Sequence, residues 1–340
     1  MRLPTITDTL RARRLLAAHL APTPLRVHPW ADGVTLHVKR EDVQPVGAFK
    51  VRGGLTLLAG MSPAERARGV LGYSTGNHAQ SLAYAAARFG APCTIVMPER
   101  PNPAKAAAVR ALGAELVEHG AALEQASAHA AELAARTGKR LVSAGDEPEL
   151  VAGVATAYLE LFEQAPDLDA VVVPVGGGSG AAAACLVAAA VAPGCRVVAV
   201  QSAASPAAHD SWRGGEPVAR PNRIIAEGLA TGTGFALPQE IMRAHLADFL
   251  LVDHAGITRA QWTMLRDLHV LAEGAGAAAL AAVLTHPERF AGQRVAVMCT
   301  GGNAGEAEIR RVVDVGRTRP PRTVTGAGDG RAPRVARALP

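Results

Sequence analysis

Short runs of apolar, largely β-branched residues alternate along the chain with longer alanine-rich stretches. "VTLHV" (34–38), "CTIVM" (93–97), "AVVVPV" (170–175), "RVVAV" (196–200), "FLLV" (249–252) and "RVAVMC" (294–299) read as strands, and a further strand ends near Tyr73. Between them, "HAQSLAYAAARFG" (78–90), "PAKAAAVRALG" (103–113), "ALEQASAHAAELAARTG" (122–138), "GVATAYLELFEQ" (153–164) and "GAGAAALAAVLTH" (274–286) read as helices, several of them closed by glycine. Strands that are apolar throughout must be covered on both faces. The pattern therefore predicts an α/β protein with mostly parallel twisted sheets covered by helices. In such sheets ligands gather beyond the C-terminal ends of the strands, so the loops after strands are where chemistry is expected.

At 340 residues the chain exceeds the ~250–300 residues at which a single core stops growing, and two lobes are expected. Hydrophobic residues make up 49% of it but aromatics only 4%, so alanine, valine and leucine must fill the interior. The net charge of +5 invites a nucleic-acid reading, but its location argues against one. Arginines 317, 319, 322, 331, 334 and 337 face a single acid, Asp329, in a Pro/Gly-rich end; residues 317–340 read as a disordered, solvated tail and the rest is near neutral. Cys93, Cys185, Cys195 and Cys299 form no CxxC pair and read as buried reduced thiols of a cytoplasmic protein, with no metal site. No apolar leader is seen, and the longest apolar run, 181–193, falls short of the ~20 residues that span a bilayer, so no membrane partner is expected.

Four loops carry candidate chemistry. "GAFKVRGG" (47–54) sets Lys50 between Phe49 and what reads as an Arg-Gly-Gly turn. "STGNHAQ" (74–80) gathers hydroxyls, an amide and an imidazole at a strand-to-helix turn; Ser74 and Thr75 suit helix capping as well as ligand binding, whereas Asn77 and His78 suit a carboxylate or phenolic oxygen. "GGGSG" (176–180) lies between a buried strand and a helix beginning near Ala181. Its backbone N–H groups and the helix N-terminus make an anion cradle. It lacks both the GxGxxG and the GxxxxGK[ST] spacing, and no acid follows about 20 residues on, which favours a phosphate without a nucleotide. "TGGN" (300–303) puts Thr300 at a strand end.

Together these motifs resemble the fold-type II pyridoxal-phosphate enzymes, a two-lobed architecture like the tryptophan synthase β subunit, and within them the threonine/serine dehydratase and serine racemase group. The resemblance runs from "TPL" (23–25) to about residue 315, through "VKREDVQPVGAFKVRGG", "STGNHAQSLAYAA", "VPVGGGSG", "AEGLATG", "LAEGAGAAALAAV" and "CTGGN" in order. It implies a large cofactor-binding domain of residues 1–67 plus 146–316, a small mobile domain of 68–145, and a homodimer. It further implies pyridoxal 5'-phosphate attached to Lys50 as a Schiff base, with Phe49 beside the ring. Gly176, Gly177, Gly178, Ser179 and Gly180 would hold the phosphate, Asn77 the ring's 3-oxygen and Thr300 the ring nitrogen. Ser74, Thr75, Asn77 and His78 would bind the substrate carboxylate. A neutral hydroxyl at the ring nitrogen makes a weaker electron sink than a carboxylate does, which favours β-elimination over transamination. The implied reaction turns a small β-hydroxy amino acid into a 2-oxo acid and ammonia, with Lys50 taking the α-proton.

The sequence also departs from the group's pattern. Ala48 stands where serine is usual, Ser179 replaces the last of four glycines, and "AGVAT" (152–156) replaces "AGQGT". Gln201 occupies the position of the acid that binds a cation in other members, which argues against a metal site and, with it, against a cation-dependent 3-hydroxyaspartate lyase. Thr75 stands where racemases have a serine acid/base, so Thr75 is a candidate catalytic residue and a racemase is the second reading. The Gln201 region and "CTGGN" resemble the dehydratase-like subgroup encoded with ectoine degradation. From a different class, a phosphate-binding regulator without catalysis would dispense with Lys50. The short stretch after the last strand leaves no room for a C-terminal regulatory domain, so a catabolic role is expected.

Overall fold

The computed structural model describes residues 2–317. Its strands are β1 (Leu25–Pro29), β2 (Thr35–Arg40), β3 (Val70–Tyr73), β4 (Cys93–Met97), β5 (Glu115–Glu118), β6 (Arg140–Val142), β7 (Ala170–Pro174), β8 (Arg196–Ser202), β9 (Asp248–Val252) and β10 (Arg294–Cys299). They form a six-stranded sheet in the order β1-β2-β10-β7-β8-β9 and a four-stranded sheet in the order β5-β4-β3-β6. Every neighbouring pair is parallel except β1 with β2. The strand ends that carry the loops therefore share one edge in each sheet.

The valine runs behave as their composition requires. In β7, Val171 and Val173 pack on one face against helices Pro148–Gln164 and Ser179–Val191, while Ala170 and Val172 pack on the other against Gly274–Thr285. The smaller sheet is layered likewise. Val70 and Ile95 join a core with helices Val51–Gly60 and Asn77–Arg88, and Leu71 and Val96 join one with Leu123–Thr137.

Several elements differ from the sequence reading. The strands β1, β5 and β6 carry no long apolar run: β5 is an edge strand reading "ELVE" and β6 has three residues. Edge and short strands can be polar because one side faces water. "RGG" is no turn but the start of the helix Val51–Gly60. Its glycines serve close approach: a Cβ at Gly53 would stand 2.9 Å from Leu150 O, and across the same contact one at Gly153 of helix Pro148–Gln164 would stand 2.5 Å from Arg52 O. The helix after the glycine loop begins at Ser179, two residues before the predicted start. Helices Ile6–Leu16 and Glu306–Arg317 flank the predicted elements, the first closed by a Thr5–Asp8 capping box. The predicted arginine-rich tail lies outside the described residues, save Arg317, which ends the last helix.

Behind Lys50, β2 and the helices Val51–Gly60 and Pro148–Gln164 meet around a buried ionic cluster. Arg52, 1% exposed, forks onto both oxygens of Glu41 (2.7 and 2.9 Å) and both of Glu160 (2.8 and 2.8 Å). Lys39 donates to Glu160 (3.1 Å), Gln164 (2.9 Å) and the Thr23 carbonyl (2.8 Å), and the Thr23 hydroxyl donates to Glu41 (2.6 Å). Burial alone would lower the Arg52 pKa, but the charges of Glu41 and Glu160 outweigh it and raise it; Glu160 is correspondingly held down, despite its burial, by Arg52. All four cysteines are free and buried, and no described helix is long and apolar enough to cross a membrane.

Candidate active site

The lysine loop is stitched to the loop after β10. Ala48 forms an antiparallel bridge with Gly301, Phe49 N donates to Thr300 O (3.1 Å), and Gly302 N donates to Gly47 O (3.0 Å). Ala48 is fully buried at this seam. Val46 and Gly47 both have positive φ (60° and 63°), an unusual conformation for a β-branched residue. The Lys50 carbonyl is fixed from a third side by the Ser81 hydroxyl (2.6 Å). The side chain is thereby aimed, not free to roam. Its Nζ donates to Ser179 Oγ (2.8 Å) and to Ala144 O (3.4 Å), 5.3 Å from the centre of the Phe49 ring. Lys50 is half-buried because it lines a cavity, but protein surrounds it and burial lowers its pKa to about 8. Near neutral pH a usable share of it is therefore free amine.

Ser179 opens the helix that follows β7, behind Gly178 at φ +91°. This φ favours glycine, and the packing demands it too: a Cβ at Gly178 would lie 2.8 Å from Pro238 Cβ, and one at Gly176 would lie 2.2 Å from Gly228 O. Thr231 pins the turn by donating to Gly176 O (3.0 Å). Successive backbone N–H groups at a helix N-terminus form a site for a phosphate-sized anion.

The loop after β3 supplies the opposite wall. The helix Asn77–Arg88 receives no side-chain cap; Ser74 Oγ instead accepts from Gly76 N (3.2 Å), and the Thr75 hydroxyl makes no hydrogen bond. His78 is buried, and burial together with the Lys50 charge pushes its pKa down to about 3, so the ring is neutral; its Nε2 has no partner. Asn77 Oδ1 accepts from Asn303 Nδ2 (2.8 Å), and its Nδ2 donates to Glu273 Oε1 (2.5 Å). Burial raises the Glu273 carboxyl to about 7, against the countering charge of Lys105.

Phe49, Lys50, Ser74, Thr75, Asn77, His78, residues 176–180 and Thr300 all line one cavity of about 130 Å³. The structure thus brings every predicted site residue together. Sequence reasoning misses two polar neighbours: Glu273 within "LAEGAG" and Asn303, the last letter of "TGGN". For Glu273 the available signal is an acid just before an Ala-rich helix. Gln201 lies outside the cavity, fully buried, with Oε1 accepting from His209 N (3.0 Å).

A lysine kept partly unprotonated against a phosphate cradle defines an enzyme built around a phosphorylated aldehyde cofactor. Residues 16–301 match the family model "Pyridoxal-phosphate dependent enzyme", and the chain belongs to that family; its cofactor is pyridoxal 5'-phosphate. It is 35% identical over 307 residues to a beta-hydroxyaspartate dehydratase of Paracoccus denitrificans, covering 89% of this chain and 97% of that one. It is 34% identical over 328 residues to an L-threonine ammonia-lyase of Thermotoga maritima, covering 94% and 80%. Among solved structures it resembles maize serine racemase, with a TM-score of 0.86, 26% identity and coverage of 93% and 98%. The residues present fit the cofactor: the cradle admits only glycine at its two tightest points, and the amine reaches its edge.

Proposed function

We propose that the protein is an ammonia-lyase that converts a small β-hydroxy amino acid such as L-threonine or L-serine into a 2-oxo acid and ammonia by α,β-elimination. When bound, pyridoxal phosphate supplies the electron sink that makes the substrate α-C–H bond breakable. Lys50 would hold the cofactor aldehyde and would take the substrate α-proton; a pKa near 8 suits both tasks. Backbone N–H groups of 176–180 and the Ser179 hydroxyl would hold the phosphate, with Phe49 beside the ring, Asn77 for its 3-oxygen and Thr300 for its nitrogen. Ser74, Thr75 and His78 hold the substrate carboxylate. The departing hydroxyl leaves as water, and hydrolysis of the resulting enamine consumes one water, releasing ammonia.

The observation that carries this reading is the 2.8 Å contact of Lys50 Nζ with Ser179 Oγ, which puts the amine at the phosphate cradle. The reading includes the lobe of 68–145 closing on the rest, supported by the Lys105–Glu227 ion pair (2.6 Å) that joins them beside the cavity, and a homodimer. The unpartnered Thr75 hydroxyl supports the second reading, racemisation. Purified protein incubated with L-threonine and L-serine should release 2-oxo acid and ammonia in equal amounts. Inversion of serine without 2-oxo acid would favour the racemase, and a Lys50→Ala protein with undiminished turnover would sink the lysine assignment.

A further inference from the structure

The hydrogen bonds around Asn77 run in one sense only, and this sets what the residue can offer the cavity. Asn303 Nδ2 donates to the Val46 carbonyl (2.8 Å), a group that can only accept, so this end of Asn303 must be its nitrogen. The same nitrogen donates to Asn77 Oδ1 (2.8 Å), which fixes Asn77 in turn with its oxygen toward Asn303. Asn77 Nδ2 then faces Glu273 Oε1 at 2.5 Å, leaving its second N–H free. All of this happens at the wall of the Lys50 cavity, which both Asn77 and Glu273 line. Glu273 is itself anchored, its backbone N–H donating to Gly301 O (3.1 Å) on the loop that also holds Thr300.

We propose that Glu273 is a positioning residue for the reaction, holding the Asn77 amide against Asn303 so that the free N–H is presented to the ring 3-oxygen. This rests on the cofactor role given to Asn77 above. The groups facing the carboxyl are Asn77 from its helix, Lys105 from helix Pro103–Ala111, Glu227 from the turn Glu227–Leu229 and Glu308 from the last helix. Of these, Lys105 is bonded to Glu227, and Glu308 accepts from Gly274 N (2.7 Å) and Gln261 (2.8 Å), so the contact with Asn77 is the bond that Glu273 makes toward the cavity. Burial places its titration near neutral, at about 7, so its charge state and its hold on the amide change together across the working range.

The test uses the holoenzyme and its near-ultraviolet and visible absorbance. In the unaltered protein the ratio of the cofactor bands should step with pH around 7. Glu273→Gln keeps an acceptor for Asn77 but cannot titrate: it should retain the cofactor and lose the step. Glu273→Ala, which frees the amide, should change the band ratio at every pH and lower kcat about tenfold or more with little change in KM. Asn303→Ala, which frees the other end, should shift the bands in the same direction. A Glu273→Gln protein with the original pH step overturns the proposal, and this arm stands even if the alanine variant does not fold. Unaltered bands in both Glu273→Ala and Asn303→Ala overturn it as well. Should the unaltered protein show no absorbance that disappears with Lys50→Ala, the cofactor reading itself fails, an outcome distinct from these.

Discussion

Two buried groups of charge lie two residues apart in the chain, and the fold treats them in opposite ways. Around Arg52, two cations and two carboxylates are paired; Arg52 also donates to Thr156 and Lys39 to Gln164, while Thr23 donates to Glu41 and Glu160. Around Lys50, the lysine, His78 and Glu273 are buried without a matching ion in contact, and each is displaced by burial, to about 8, 3 and 7. Pairing holds charges where they are and makes a rigid support. Burial without pairing brings Lys50 and Glu273 to where they can change protonation near neutral pH, which is what acid–base chemistry needs, and keeps His78 neutral. The same stretch "FKVRGG" supplies one residue to each region.

Four substitutions separate the two treatments. The largest effect is expected from Arg52→Ala, which strands Glu41 and Glu160 with only Lys39 to balance them. Breaking such a buried pair costs about 3–5 kcal/mol, to be read from urea unfolding, and insolubility in the cell would agree with it. Lys50→Met should act with the opposite sign on the cofactor-free protein. A lysine whose pKa falls from 10.5 to about 8 contributes stability in full above 10.5 and loses it as pH falls through 8. At pH 7 the fold therefore bears the charge at a cost, and methionine should stabilise it by about 1–2 kcal/mol while abolishing turnover. A protein weakened by Lys50→Met as much as by Arg52→Ala would erase the distinction.

Gly178→Ala tests the cradle alone. With φ at +91° and Pro238 Cβ 2.8 Å from the added carbon, it should lose about 1–2 kcal/mol of stability and bind pyridoxal phosphate more weakly, as measured by cofactor titration. Thr75→Val should be the mildest on the fold, because that hydroxyl has no partner: melting should move by under about 0.5 kcal/mol. Its effect should instead appear as a higher KM for the amino acid, and an unchanged KM would remove Thr75 from the substrate site.

Much of this was legible in the sequence, for reasons that differ by region. The central strands announce themselves because burial on both faces demands unbroken valine, as in "AVVVP", and the glycine loop because a cradle tolerates little else. The edge strand "ELVE" and the three-residue β6 carry no such demand, and "RGG" looked like a turn because glycines that bring helices together are locally indistinguishable from those that break them. At the site, each loop could be picked out by its unusual composition, whereas Glu273 and Asn303 act through Asn77. Their part depends on hydrogen bonds between residues 196 and 226 positions apart, and no local pattern encodes those.

The seam between the lysine loop and the loop after β10 has a consequence for how such a protein can change over time. A Cβ at Gly47 would stand 2.6 Å from Asn303 Oδ1, so the first position can enlarge only if the second retreats, and retreat would release both Val46 and Asn77. The two sites, 256 residues apart by their numbering, are thus one heritable unit. Mutational libraries that vary either singly should therefore return mostly inactive chains.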